Sequence, residues 1–183
     1  MTPFSFEHVF RAGSPAQVMA AFWDPSHQRA QDQALAIVER TVLELTETAE
    51  ARVRVTRIVP QRQLPALVRP FVSGPLHYVE TARWRPGTDV IELEILPSLL
   101  GGRAVIRATY RLEPAGTGLI RRTYAGSVSV DVALISSRIE RGIRSELQRS
   151  LPLAAAVTQG WLDGPEPATT SGRKSGESGI IIR

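Results

Sequence analysis

The residues that could do chemistry in this chain are polar side chains that fall in phase with apolar neighbours. Between Asp131 and Asp163, Val132, Ile135, Ile139, Ile143, Leu147 and Leu151 recur every three or four positions, the spacing of one helix face. At about 100° per residue, Glu146 lies within about 20° of Ile139, and Ser150 lies about 20° to its other side. Both sit in the middle of the stripe that should be buried. A bare buried carboxylate costs several kcal/mol, so Glu146 must be paired, hydrogen-bonded or in contact with a wet cavity. It lines a pocket, or it forms an ion pair with an inward arginine, or the helix is rotated enough to expose it. His8 shares a strand face with Phe4, Phe6 and Phe10. It is either a donor and proton shuttle facing a ligand or a core histidine with its hydrogen bonds satisfied. Tyr78, Glu80, Ala82 and Trp84 share one face of a later strand, opposite His77, Thr81, Arg83 and Arg85. Taking the aromatic set as inward makes Glu80 a second inward carboxylate. Tyr110 and Tyr124 add hydroxyls to the same wall, or are plain core.

These groups match no established catalytic pattern. His8, His27 and His77 lie in separate segments with no i, i+4 pair, so no metal site is expected. There is no G-x-S-x-G elbow and no Gly-Lys-Ser/Thr. Gly116-Thr117-Gly118 begins like a dinucleotide fingerprint, but Arg121 stands where the third glycine should be. No cofactor is expected. An enzyme built here would use Glu80, Glu146, His8 or a tyrosine as acid and base on a bound carbonyl compound.

Composition narrows the class. The 183 residues suit one domain with a real core. Absence of cysteine rules out disulfides and thiolate chemistry. Net charge is +4 and Lys174 is the single lysine. Residues 163 to 183 balance their charges, so the excess belongs to the body. The arginines are scattered through alternating segments, as in Arg52, Arg54, Arg57 and Arg103, Arg107, Arg111. That pattern reads as a solvated sheet face rather than a basic stripe for nucleic acid. With no basic-then-apolar leader and no window near roughly 18 apolar residues, a soluble cytoplasmic protein without membrane insertion is expected.

The elements that must position these groups can be read in order. Residues 3 to 11 form a strand. Gly13-Ser14-Pro15 opens a short helix to Trp23, with the Ser14 hydroxyl expected to cap it and Val18, Met19 and Phe22 inward. Asp24-Pro25 opens a second helix to about Gln33. Strands at 37 to 45 and 52 to 59 form a hairpin. Residues 63 to 75 carry three prolines and one glycine among Leu64, Leu67, Val68, Phe71 and Val72; this density excludes a central strand and suggests an apolar cover. Strands follow at 76 to 85, 90 to 96, 103 to 112 and 119 to 130, joined by short turns, which makes an antiparallel meander. The terminal helix, about 30 residues and roughly 45 Å long, is the element able to fill a curled sheet. Residues 163 to 183 read as a disordered tail behind a domain at 1 to 162.

That order resembles the START-like, or SRPBCC, superfamily, the helix-grip or pollen-allergen-like fold. FSFEHVFRAGSPAQVMAAFW, residues 4 to 23, is similar to its opening strand and helix. LPALVRPFVSGPLHYVETARW, residues 64 to 84, and IERGIRSELQ, residues 139 to 148, are similar to its uncharacterised bacterial DUF2505 family. The resemblance implies an α+β fold of about seven strands, ordered β-α-α-β6-α, wrapped around the long helix. It also implies a cavity between them for an apolar small molecule; the first reading is that a hydrophobic or amphipathic compound, lipid or polyketide-like, is bound there without catalysis. Glu146, Ser150, Ile139, Ile143, Tyr78, Glu80, Trp84, Tyr110, Tyr124 and His8 would line that cavity. Leu67 and Phe71 would belong to a gate, and Pro152 would let the helix bend. The rival readings are a cyclase or dehydratase using the inward carboxylates and His8, and an interaction domain with a filled core that docks through Pro97 to Leu100.

Overall fold

The computed structural model describes residues 1–61, 76–98, 102–132 and 136–164. The chain runs β1 (Thr2–Arg11), α1 (Pro15–Trp23), α2 (Pro25–Ala34), β2 (Ile37–Glu47), β3 (Arg52–Pro60), β4 (Tyr78–Trp84), β5 (Val90–Pro97), β6 (Ala104–Pro114), β7 (Leu119–Val130) and α3 (Ser136–Asp163). The strands form one antiparallel sheet in the order β1-β7-β6-β5-β4-β3-β2. The expected cover with Leu67 and Phe71, and residues 165–183 of the expected tail, lie outside the described residues.

Helix starts follow local hydrogen bonding. Asp24 caps α2 as expected, its Oδ1 accepting from the Ser26 and His27 amides at 2.7 and 3.0 Å. The expected Ser14 cap is absent: its side chain makes no capping bond, and Gln17 Oε1 instead reaches back to the Gly13 amide at 2.7 Å. The long helix begins at Ser136 rather than Asp131. The Asp131 amide still bonds the Arg103 carbonyl at 2.8 Å, continuing the sheet, and the Ser136 hydroxyl donates to the Val132 carbonyl at 2.6 Å. From there α3 continues through Pro152 to Asp163.

Inward rows run across the sheet. Phe4, Gly126, Ala108, Leu93, Ala82 and Arg54 are successive cross-strand partners from β1 to β3. The small residues in that row leave room above the sheet. Gly126 is obligatory: a Cβ there would lie 2.0 Å from the Arg107 carbonyl oxygen and 2.7 Å from Ala108 Cα. The core joins this face to Val18, Met19 and Trp23 of α1 and to Ile139 and Ala155 of α3. The far edge is bare, with Val38, Val42, Leu43 and Leu45 of β2 exposed. Among the described residues, no helix is long and apolar enough to cross a membrane.

Candidate functional site: a cavity beneath the terminal helix

A cavity of about 560 Å³ lies between α3 and the concave face of the sheet. Ile58, Leu93, Ile95 and Ile106 from the sheet, with Ile139 and Ile143 from α3, make its walls apolar. Tyr78, Glu80, Tyr110, Tyr124, Glu146 and Ser150 line it too. The two-residue period of β4, β6 and β7 and the stripe of α3 bring them together.

Their chemistry differs. Burial raises the Tyr78 and Tyr124 hydroxyls well above the ordinary tyrosine range, and Glu80 adds to both shifts. Burial also raises Tyr110, against the opposing pull of Arg122. All three are therefore protonated donors at neutral pH. Ser150 turns its hydroxyl back to the Leu147 carbonyl at 3.4 Å. Glu146 is not buried: its side chain is 49% exposed and its carboxylate bridges to Arg149 one turn along. The helix is rotated so that Glu146 lies where the cavity meets solvent.

Two expected residues lie elsewhere. His8 faces inward but is not part of the cavity wall; it pairs across the ladder with Arg122, whose Nη2 lies 2.9 Å from His8 Nδ1. Trp84 shares the Tyr78 face but sits at the end of the sheet that α1 covers. There it lines a second pocket with Trp23, Arg52 and Thr88, and its indole donates to the Thr88 carbonyl at 2.7 Å.

The cavity also contains groups that the sequence pattern did not single out. His27 is pinned in the first turn of α2 by the Asp24 cap and is 3% exposed. Its Nε2 lies 3.0 Å from Thr158 Oγ1. That hydroxyl spends its hydrogen on the Ala154 carbonyl at 2.9 Å, so His27 Nε2 is the donor. Burial, opposed by Asp24, lowers its pKa from 6.5 to about 4. Arg54 corrects the expectation of a solvated arginine face. Arg103, Arg107 and Arg111 are exposed, but Arg54 is 5% exposed. It stacks on Phe22 and Trp23 at 5.1 and 4.9 Å, and burial lowers its pKa to about 10. Arg122, 2% exposed, lies over Phe10 and Tyr110. Both arginines line the cavity. The signal for Arg122 was its position in β7, in phase with buried Ile120, Tyr124 and Val128.

α3 is also tied down at its start by Glu140, 2% exposed. It accepts from the Thr2 hydroxyl at 2.7 Å and the Val130 amide at 3.0 Å. Burial pushes its pKa up, but these hydrogen bonds outweigh that and hold it below the usual carboxylate range. Among the described residues, no cluster of three or more His, Asp or Glu side chains could hold a metal ion.

Known proteins bear out this architecture. The Zhui aromatase/cyclase from Streptomyces sp. R1128 superposes with a TM-score of 0.61 at 9% identity, over 88% of this chain and 93% of that one. A START superfamily protein from Mycobacterium smegmatis gives 0.57 at 11%, over 89% and 98%. Ara h 8.0201 gives 0.61 at 10%, over 86% and 97%. At these identities the likeness establishes the fold alone, the START-like helix grip. No curated protein is significantly similar to the chain in sequence. The profile of the family described as "Protein of unknown function (DUF2505)" matches residues 5–162, and the chain belongs to that family.

Proposed function

We propose that this domain binds one hydrophobic or amphipathic small molecule beneath α3 and performs no chemistry on it. The cavity carries this reading. Its volume falls within the roughly 300–1,000 Å³ of small-molecule sites, and it has their make-up of apolar walls with a few convergent polar groups. A cavity of that size also argues against an interaction domain filled by its own side chains.

A cyclase-type reaction would need an inward acid and base in reach of one substrate. His8 is held by Arg122 outside the cavity, and Glu146 is half exposed beside Arg149. His27 donates its Nε2 hydrogen to Thr158, and the three tyrosines stay protonated. Of the expected acid and base groups, Glu80 and the protonated tyrosines remain on the wall, so binding without turnover rests on the cavity's predominantly apolar lining.

The test is titration with 1-anilinonaphthalene-8-sulfonate together with native mass spectrometry of the purified protein. Saturable one-site fluorescence, or a co-purifying apolar compound, is expected. Ala154→Phe, which places a ring in the cavity from α3, should weaken the probe while the protein stays folded. Absence of saturable binding and of any bound compound would overturn the reading.

A further inference from the structure

We propose that the molecule held in this cavity is an amphipathic carboxylic acid whose carboxylate lies against Arg54 and Arg122, an inference that rests on the cavity being a ligand site. Both guanidinium groups line it, at 5% and 2% residue exposure. Among the described residues, no carboxylate oxygen comes within 4.0 Å of either, the distance of an ion pair. Arg54 has only long contacts, 3.4 Å from Nη1 and Nη2 to the Phe22 carbonyl. Arg122 has only neutral partners here, His8 Nδ1 and the Tyr110 hydroxyl. The Nε of each is buried without a hydrogen-bond partner.

The two cations form one feature. Arg54 lies 5.1 Å over Phe22 and Arg122 lies 5.4 Å over Tyr110, while Phe22 and Tyr110 meet edge to face at 5.4 Å. Two charges thus flank a single aromatic pair on the cavity wall. A buried cation without a counter-ion is strongly destabilising, and cation–π contacts return a small part of that. The charges facing this end do not cancel it. Arg40 is already engaged by Asp32 at 2.8 Å. Glu80 is close enough to raise the Arg54 pKa but not to pair with it. An anion arriving with the ligand would supply the missing charge in a low-dielectric site, where it counts most.

The same groups define the kind of anion. With aromatic rings beside each guanidinium and the Nε of each still unpartnered, a planar group that accepts from neighbouring N–H groups is favoured, which the two coplanar oxygens of a carboxylate match. Glu80 on the same wall would repel a second negative charge, which disfavours a phosphate dianion. The apolar body would lie along Ile95, Ile106 and Ile143.

Matched probes test this by calorimetry: dodecanoate against 1-dodecanol, and 2-naphthoate against 2-naphthalenemethanol. In the wild-type protein, the acid of at least one pair should bind roughly tenfold or more tighter than its alcohol. Arg122→Met or Arg54→Met should collapse that ratio, weakening the acid far more than its alcohol. If a variant does not fold, the wild-type ratio still decides. Equal affinities of acid and alcohol in the wild type would overturn this inference and leave the cavity reading intact. An acid preference that survives both substitutions in folded protein would overturn the assignment to these arginines, whose role would then be structural. Failure of all the probes to bind would count against the cavity reading itself.

Discussion

Nη2 of Arg122 lies 2.9 Å from Nδ1 of His8, directly across the β1–β7 ladder. Because a guanidinium has only donors, Nδ1 must carry a lone pair, and the His8 proton sits on Nε2. The contact is incompatible with a charged imidazole. Burial, and then the Arg122 charge, lower the His8 pKa from 6.5 to about 4.

Acid sensitivity follows, since His27 is lowered to about 4 as well. The unfolded chain takes up these protons near pH 6.5 and the folded protein only near 4. Stability is therefore unaffected above about pH 7 and falls as pH drops through the window between. From pH 7 to pH 5 each histidine should account for on the order of 1 kcal/mol, solvent screening reducing the contribution of the part-exposed His8 most. Urea denaturation at the two pH values, with wild type and His8→Gln, measures this. The variant should lose a visibly smaller share of its stability, and identical losses would contradict the assignment.

Gly142 lies on α3 at the cavity, and a Cβ built there meets nothing within 4 Å. Gly142→Ala should therefore stabilise the protein by roughly 0.5–1 kcal/mol through helix propensity alone. Gly142→Leu should keep the melting temperature near wild type but project into the cavity and weaken probe binding. Unchanged binding by the leucine variant would mean that the ligand does not pass under this turn of α3.

The order of elements was legible because turn chemistry and period agreed. Asp24-Pro25 capped α2, prolines and glycines separated the strands, and one stripe ran the length of α3. Face assignments failed where the period was ambiguous. In β3, Val53, Val55 and Val59 alternate with Arg54, Thr56 and Ile58, and apolarity alone favours the valine face. The structure buries Arg54, Thr56 and Ile58 instead, because α1 offers Phe22 and Trp23 as stacking surfaces for the guanidinium. No local pattern in β3 records that. For Glu146 the stripe left pocket wall and exposed margin both open, because a rotation of α3 by a fraction of a turn moves a residue from the centre of a stripe to its margin. His27 escaped because its burial depends on Thr158, 131 residues away.

Glu140 fastens the start of α3 to both neighbouring strands, accepting from Thr2 of β1 and Val130 of β7. Removing the acceptor leaves a buried amide unsatisfied, so Glu140→Ala should destabilise by on the order of 2 kcal/mol. Glu140→Gln, which keeps a carbonyl oxygen, should lose less. Because the folded pKa of Glu140 is depressed, its contribution is present above the unfolded value near 4.5 and lost as pH falls through the folded one. The gap between wild type and Glu140→Ala in thermal denaturation should narrow in acid.

Gly126 gives the sharpest prediction about the sheet. Its Cα faces the β6 backbone so closely that a methyl group would sit 2.0 Å from the Arg107 carbonyl oxygen and 2.9 Å from Ala108 Cβ. Those are backbone atoms and a short side chain, with no flexible end to move aside. Gly126→Ala must push β6 and β7 apart in the middle of the sheet, breaking ladder bonds between Ala108 and its neighbours. Overpacking of this kind costs about 3 kcal/mol or more. The result should be a large drop in melting temperature or failure to accumulate folded protein. Ala108→Gly in the Gly126→Ala background removes the Ala108 methyl but leaves the Arg107 carbonyl in place, so it should restore little. Full rescue by that second change would show that side-chain crowding, and not the approach of the two backbones, is what requires glycine.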